Sequence, residues 1–160
     1  MKYCSLTSGS SGNSQFIASK EARILLDAGV TGKYIKEAME AIGENPGNLD
    51  GILVTHEHSD HIKGVGVLMR RYDLPLYVHE DTWKGMQAQM GKINTEKVNF
   101  IDGNRPFEIK DISIQPFNVD HDAAHPLGFS FRNEGVEISV ATDLGHMTDE
   151  ILRVVEKSDL

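Results

Sequence analysis

Apolar and polar residues follow two different periods along this chain. Tyr3 to Thr7, Gln15 to Ala18 and Arg23 to Asp27 are short, apolar-containing runs separated by the turn-forming stretches Ser8-Gly9-Ser10-Ser11-Gly12-Asn13-Ser14 and Ser19-Lys20-Glu21-Ala22, which predicts an opening β-meander. From Thr31 to Ile42 the period changes. Tyr34, Ile35, Ala38, Met39 and Ile42 fall on one face of a helix, with Thr31 as its N-cap and Gly43 as its stop. Gly51 to Thr55 is a short apolar strand that runs straight into His56. Ile62 to Tyr72 predicts a helix weakened at Gly64 and Gly66. Leu76 to His79 predicts a strand, and Glu80 to Met90 a helix with Trp83, Met86 and Met90 on one side. Strand signals then dominate: Ile112 and Ile114 alternate with polar neighbours, Phe117 and Val119 resume after Pro116, and Val136, Ile138 and Val140 alternate with Glu137 and Ser139. Thr148 to Val155 closes as a helix capped by Thr148, with Asp149 and Glu150 in its first turn. Strands, then helices, then strands again describe an α/β (α+β) chain, a mixed sheet with helices packed on one face.

Composition narrows this picture. A chain of 160 residues, 39% hydrophobic and 25% charged, is expected to form one globular domain spanning 1–160. No stretch approaches the roughly 20 apolar residues of a membrane span, and the start turns polar by Thr7, unlike a secretory signal. The expectation is a cytoplasmic protein without a membrane partner. Cys4 is the single cysteine, which excludes an internal disulfide and a cysteine-rich zinc module. The 24 acidic and 16 basic residues give a net charge of −8, which argues against a broadly basic nucleic-acid surface but not against a local groove. Oligomeric state is not legible. Histidine is the unusual entry in the composition: seven in all, three of them within His56-Glu57-His58-Ser59-Asp60-His61.

That H-x-H-x-D-H loop carries the chemistry. In an extended segment His56 and His58 point the same way and offer two imidazole nitrogens to one cation, while Asp60 and His61, beyond the bend, face a second. Each ion needs further donors, so the pattern calls for a distant histidine and a bridging carboxylate. His121 follows the strand ending at Val119, with His125 as its rival. Asp143 follows the strand from Val136, in Ala141-Thr142-Asp143-Leu144-Gly145, with Asp120 and Asp122 as rivals. Asp27 stands at a third strand end, in Leu25-Leu26-Asp27-Ala28-Gly29, and His146 lies three residues beyond Asp143. Nitrogen and oxygen donors suit zinc, with manganese or iron as alternatives.

Taken together, Ser8-Gly9-Ser10-Ser11-Gly12-Asn13-Ser14, Leu26-Asp27-Ala28-Gly29, Thr55-His56-Glu57-His58-Ser59-Asp60-His61, His121-Asp122-Ala123 with Pro126 and Gly128, and Thr142-Asp143-Leu144-Gly145 resemble the metallo-β-lactamase-fold hydrolases, in their YycJ/WalJ (VicX)-like branch. The resemblance implies an αββα sandwich of which this chain is largely the N-terminal half, with the last metal-binding histidine of the family expected beyond Leu160. It implies that His56, His58 and His121 hold one metal, that Asp60 and His61 hold the second, and that Asp143 bridges the two. Asp27 would support the site from behind and His146 would touch substrate. The implied reaction is a metal-dependent hydrolysis in which a hydroxide bridging two divalent ions attacks, assisted by Asp60 and Asp143. The implied class is a phosphodiesterase or nuclease, exonuclease-like and acting on DNA. The alternatives are a thioesterase or lactonase on the same fold, and a catalytically silent metal-binding regulatory domain.

Overall fold

A computed structural model describes the backbone of residues 1–160 and every side chain except that of Glu150. Its first sheet has six strands in the order β1-β2-β3-β4-β5-β6: β1 (Lys2–Thr7), β2 (Ser14–Ala18), β3 (Arg23–Leu26), β4 (Gly51–Leu53), β5 (Leu76–His79) and β6 (Val98–Ile101). The first three pair antiparallel and form the expected meander, whereas β3 to β6 run parallel. Parallel neighbours need crossovers. They are supplied by α1 (Gly32–Ala41), by the pair α2 (Ser59–Ile62) and α3 (Val65–Tyr72), and by α4 (Glu80–Met86).

The second sheet has four antiparallel strands in the order β10-β9-β8-β7, comprising β7 (Phe107–Ile109), β8 (Ile112–Asn118), β9 (Leu127–Asn133) and β10 (Val136–Val140). Successive residues of the first sheet serve two cores, because side chains alternate across a strand. Phe16, Leu25 and Ile52 join Ile35 and Met39 of α1, Leu68 of α3 and Met86 of α4. Ile17, Ile24, Leu26 and Leu53 face Ile112, Ile114, Phe129 and Phe131 of the second sheet. The layers are therefore helix, mixed sheet, antiparallel sheet. Phe117 stands an odd number of residues from Ile114 on an unbroken strand, so it faces outward, where Ile151 of α5 (Asp149–Val155) covers it together with Val119.

Local signals held where they were strong. Thr31 caps α1 by accepting a hydrogen bond from Tyr34 N, and Gly43 takes φ +78 just past the helix end. Thr148 likewise caps α5; the side chain of Glu150 lies outside the described residues. Three features differ from the sequence reading. Strands β6, β7 and β9 were not anticipated. The helix expected over 62–72 is interrupted at Lys63-Gly64, where Gly64 N donates to Ala28 O at 2.7 Å. The helix expected to reach Met90 ends at Met86 and continues as a 3-10 turn, Gln87–Gln89. No described helix is long and apolar enough to cross a membrane.

Candidate metal centre

The site forms where strand ends of both sheets meet. β3 ends at Leu26 and delivers Asp27; β4 ends at Leu53 and runs through Thr55 into His56; the segments after β8 and β10 bring His121 and Asp143. The strap Asp27-Ala28-Gly29 binds these pieces together by backbone hydrogen bonds. Ala28 N donates to His61 O at 2.8 Å, Gly29 N to Asn13 O at 2.8 Å, and Asn13 N to Asp60 O at 2.8 Å. Glycine is required at position 29, since a Cβ there would lie 1.6 Å from Asp60 O.

Behind the site, Asp27 and His61 have no solvent exposure. The Asp27 carboxylate accepts from Thr55 N and Thr55 Oγ1, each at 2.8 Å, and from His61 Nδ1 at 2.7 Å. Because its hydroxyl hydrogen goes to Asp27, Thr55 Oγ1 is left to accept from His56 Nδ1 at 3.0 Å. The network thus assigns both imidazoles a proton on Nδ1 and turns both Nε2 atoms toward the site, an orientation that metal-binding histidines require. Burial raises the Asp27 carboxyl above its ordinary value despite its donors. Burial alone would lower His61, but the hydrogen bond and charge of Asp27, with Asp143 and Asp60 adding to them, outweigh it and raise its pKa.

Two donor groups face outward from this foundation. His56 Nε2 lies 3.2 Å from His58 Nδ1, which in turn lies 3.2 Å from His121 Nε2. Asp143 Oδ2 lies 2.9 Å from His61 Nε2 and 3.9 Å from His56 Nε2, between the two halves of the cluster. Asp60 Oδ2 sits 3.7 Å from His61 Nε2. Burial, followed by the neighbouring His61, His58 and His121, pushes the His56 pKa down to about 3, so this imidazole is neutral across the physiological range. Ring nitrogens converging on one point, beside carboxylate oxygens, are a donor set for a divalent metal ion. His56, His58 and His121 could hold one ion, and His56, His61 and Asp143 offer a second grouping.

The sequence left His121 and His125 open, and the geometry separates them: His121 joins the cluster, while His125 stacks on His79 with ring centroids 3.6 Å apart. His146 is not brought in. It is exposed, and its Nδ1 pairs with Asp120 Oδ2 at 3.0 Å. The Asp120 side chain is largely exposed, and its backbone carbonyl accepts from Gly145 N at 2.9 Å, which ties the His121 loop to the Asp143 loop. Three contributors escaped the sequence reading. The Asn13 amide lies 3.1 Å from His61 Nε2 and 3.5 Å from Asp60 Oδ2. Thr55 links Asp27 to His56. Glu57, the residue between the first two histidines, turns back to accept from Ala124 N at 2.8 Å. Asn13 had a visible signal in the serine-glycine loop; the roles of Thr55 and Glu57 exist only once the chain is folded. Arg70 donates to Met90 O, which gives that arginine a structural task.

Beside Asp60 and Asp143 opens a cleft of about 540 Å³, flanked by Ser8, Ser10, Asn13 and Gln15. Asp60 and Asp143 are the members of the cluster that line it.

Comparison with known proteins agrees with this geometry. A family model described as a beta-lactamase superfamily domain matches residues 22–160. A Streptococcus pneumoniae serotype 2 protein named "Exodeoxyribonuclease WalJ" is 39% identical over 160 residues, covering 99% of this chain and 60% of that protein. A Bacillus anthracis protein named "Exodeoxyribonuclease YycJ" is 40% identical over 151 residues, covering 94% of this chain and 57% of that protein. The chain thus spans about 60% of the length of these curated relatives. Among solved structures, the metallo-beta-lactamase fold protein YhfI from Bacillus subtilis superposes with a TM-score of 0.71 at 18% identity, covering 88% of this chain and 57% of that one. Rm3 metallo-beta-lactamase superposes with a TM-score of 0.69 at 14% identity, covering 93% and 66%. The fold is that of the metallo-β-lactamases.

Proposed function

The chain belongs to the beta-lactamase superfamily domain family, and on that premise we propose that it is the metal-binding part of a phosphodiesterase that degrades DNA from an end. The observation that carries the reading is the position of Asp143 Oδ2 between the Nε2 atoms of His56 and His61, in a chain about 40% identical to two proteins named exodeoxyribonucleases. His56, His58 and His121 would hold one divalent ion. Asp60, His61 and Asp143 would hold a second, with any further donor coming from outside residues 1–160. Zinc suits these donors best, and manganese or iron fits them too. Two such ions lower the pKa of water at the site and stabilise charge on phosphoryl oxygens.

The chain's own groups then do the following. Asp27 and Thr55 fix the ring orientation of His61 and His56, so the donors need no rearrangement on binding. Asp143, aimed at the reacting region, takes up the proton released as water attacks phosphorus and the ester P–O bond breaks. Asn13 offers an amide donor at the mouth of the cleft, where a phosphate oxygen would arrive. Residues 1–160 act in this reading as one metallo-β-lactamase-like domain of a cytoplasmic protein.

The test is hydrolysis of end-labelled DNA by the full-length protein, beside a thioester and a lactone, with metal content measured on the same preparation. Nucleotide release that disappears in His58→Ala supports the proposal. Turnover confined to the thioester or lactone would replace it with the small-molecule reading. Tight metal without turnover of any substrate would replace it with a silent metal-binding domain.

A further inference from the structure

A second cluster of donor atoms lies apart from the His56–Asp143 site, where the end of β5 and the start of α4 meet the loop that follows His121. His79, Asp81 and His125 each offer one donor atom, and the three atoms lie within 4.8 Å of one another. The His79 Nδ1 to Asp81 Oδ2 distance is 3.9 Å. Glu80, Asp102 and Asn104 line the same cleft of about 470 Å³, so its walls are anionic and amide-bearing, an environment suited to a cation.

One observation sets the cluster apart. His125 Nε2 is buried and meets no hydrogen-bond partner among the described residues, although an imidazole nitrogen shut away from water normally finds one. Beside that nitrogen stands Gly103, where a Cβ would come within 2.8 Å of it. The His125 ring packs here because position 103 carries no side chain.

We propose that His79, Asp81 and His125 form a further site for one divalent transition-metal ion, which fastens the loop carrying His121 onto the start of α4. Two imidazoles and a carboxylate match the donor preferences of zinc, cobalt or nickel, with a fourth position left to water or to Asp102. Chelation turns the two rings out of their near-parallel stack. His79 gives up only a 3.2 Å hydrogen bond from Asp81 N. Lys84, which pairs with Asp81 at 2.9 Å, keeps its second partner Glu80 at 3.2 Å. The loop is already docked here by Thr82 Oγ1, which donates to His125 O at 3.2 Å. The ion adds a side-chain link at the same place, four residues from His121.

The test uses the chain with His58→Ala and His61→Ala, which takes one donor from each of the two ion positions of the principal centre, titrated with cobalt(II) or zinc against a competing chelator. One ion is expected to bind, and adding His125→Gln is expected to weaken it by about tenfold or more. A folded double variant that binds no ion, or an ion indifferent to His125→Gln, overturns the proposal. Should the double variant fail to fold, the wild-type chain is compared with His125→Gln alone. A difference of one equivalent supports the site and equal stoichiometry overturns it. Neither readout depends on nuclease activity.

Discussion

Asp27 and His61 share a 2.7 Å hydrogen bond in which neither side chain has any exposure to solvent. A buried carboxylate is costly unless its oxygens are satisfied. Here Thr55 N, Thr55 Oγ1 and His61 Nδ1 satisfy them, and what results is an imidazole aimed outward with a fixed tautomer. Asp27→Asn keeps the shape but loses the charge. It is expected to weaken metal binding by about 10–100-fold. Chelator competition on the folded variant measures this, and unchanged affinity would remove Asp27 from the site.

Acid should unfold the metal-free chain partly through His56. In the folded state this imidazole stays neutral down to about 3, whereas an unfolded histidine titrates near 6.5. Between those values the unfolded chain binds the extra proton, so stability falls as pH falls, with a slope from this one group approaching about 1.4 kcal/mol per pH unit. Denaturant titrations at several pH values, wild type against His56→Gln, isolate that slope. Parallel pH profiles for the two would refute it.

Gly29→Ala is a small change with a large expected effect. A methyl group 1.6 Å from Asp60 O cannot be accommodated without moving the metal-binding loop or the strap. The expected loss is about 3 kcal/mol or more of stability, accompanied by weaker metal binding. A variant with wild-type melting and metal content would show that the strap is softer than its hydrogen bonds suggest.

His58 and His146 make a contrasting pair. His58 Nδ1 is the nitrogen on which His56 and His121 both converge, so His58→Ala should abolish tight binding of the first ion. His146 reaches only Asp120 at the exposed surface, so His146→Ala should change stability by no more than about 0.5 kcal/mol and leave metal content intact. Metal analysis and thermal melts of the two variants side by side decide it.

The sequence showed the donors far better than it showed what holds them. His56, His58, Asp60 and His61 are consecutive enough that a single extended loop displays their chemistry, and Asp27 and Asp143 stand at strand ends that alternation reveals. The choice between His121 and His125 depends on where a loop folds, a tertiary matter that local pattern cannot carry. Thr55 looks like any strand-end threonine until Asp27 arrives from β3. The same limit applied to the fold. Helix α1 announced its cap and its stop, and Ile35 and Met39 of the face read for it are buried while Tyr34 and Ile42 are exposed, whereas β6 exposes Asn99 and Phe100 and lacks the alternation by which a strand is read. Nor does local pattern say that β7 to β10 form a separate sheet, since both sheets send the same kinds of apolar residue into the core between them.

Asp27 and Asp143 both adopt left-handed backbone, with φ of 58 and 52. Aspartate tolerates this region better than most residues, and the fact bears on what mutation can make of this site. Exchanging the carboxylate at position 143 for a thiolate would bring a cost of about 1–2 kcal/mol from the main chain alone, before any question of metal preference arises. Asparagine and glycine escape that cost but do not supply the charge. The local backbone thus restricts which donors these two positions can explore one substitution at a time, and a lineage changing its metal chemistry here would have to reshape the turn first.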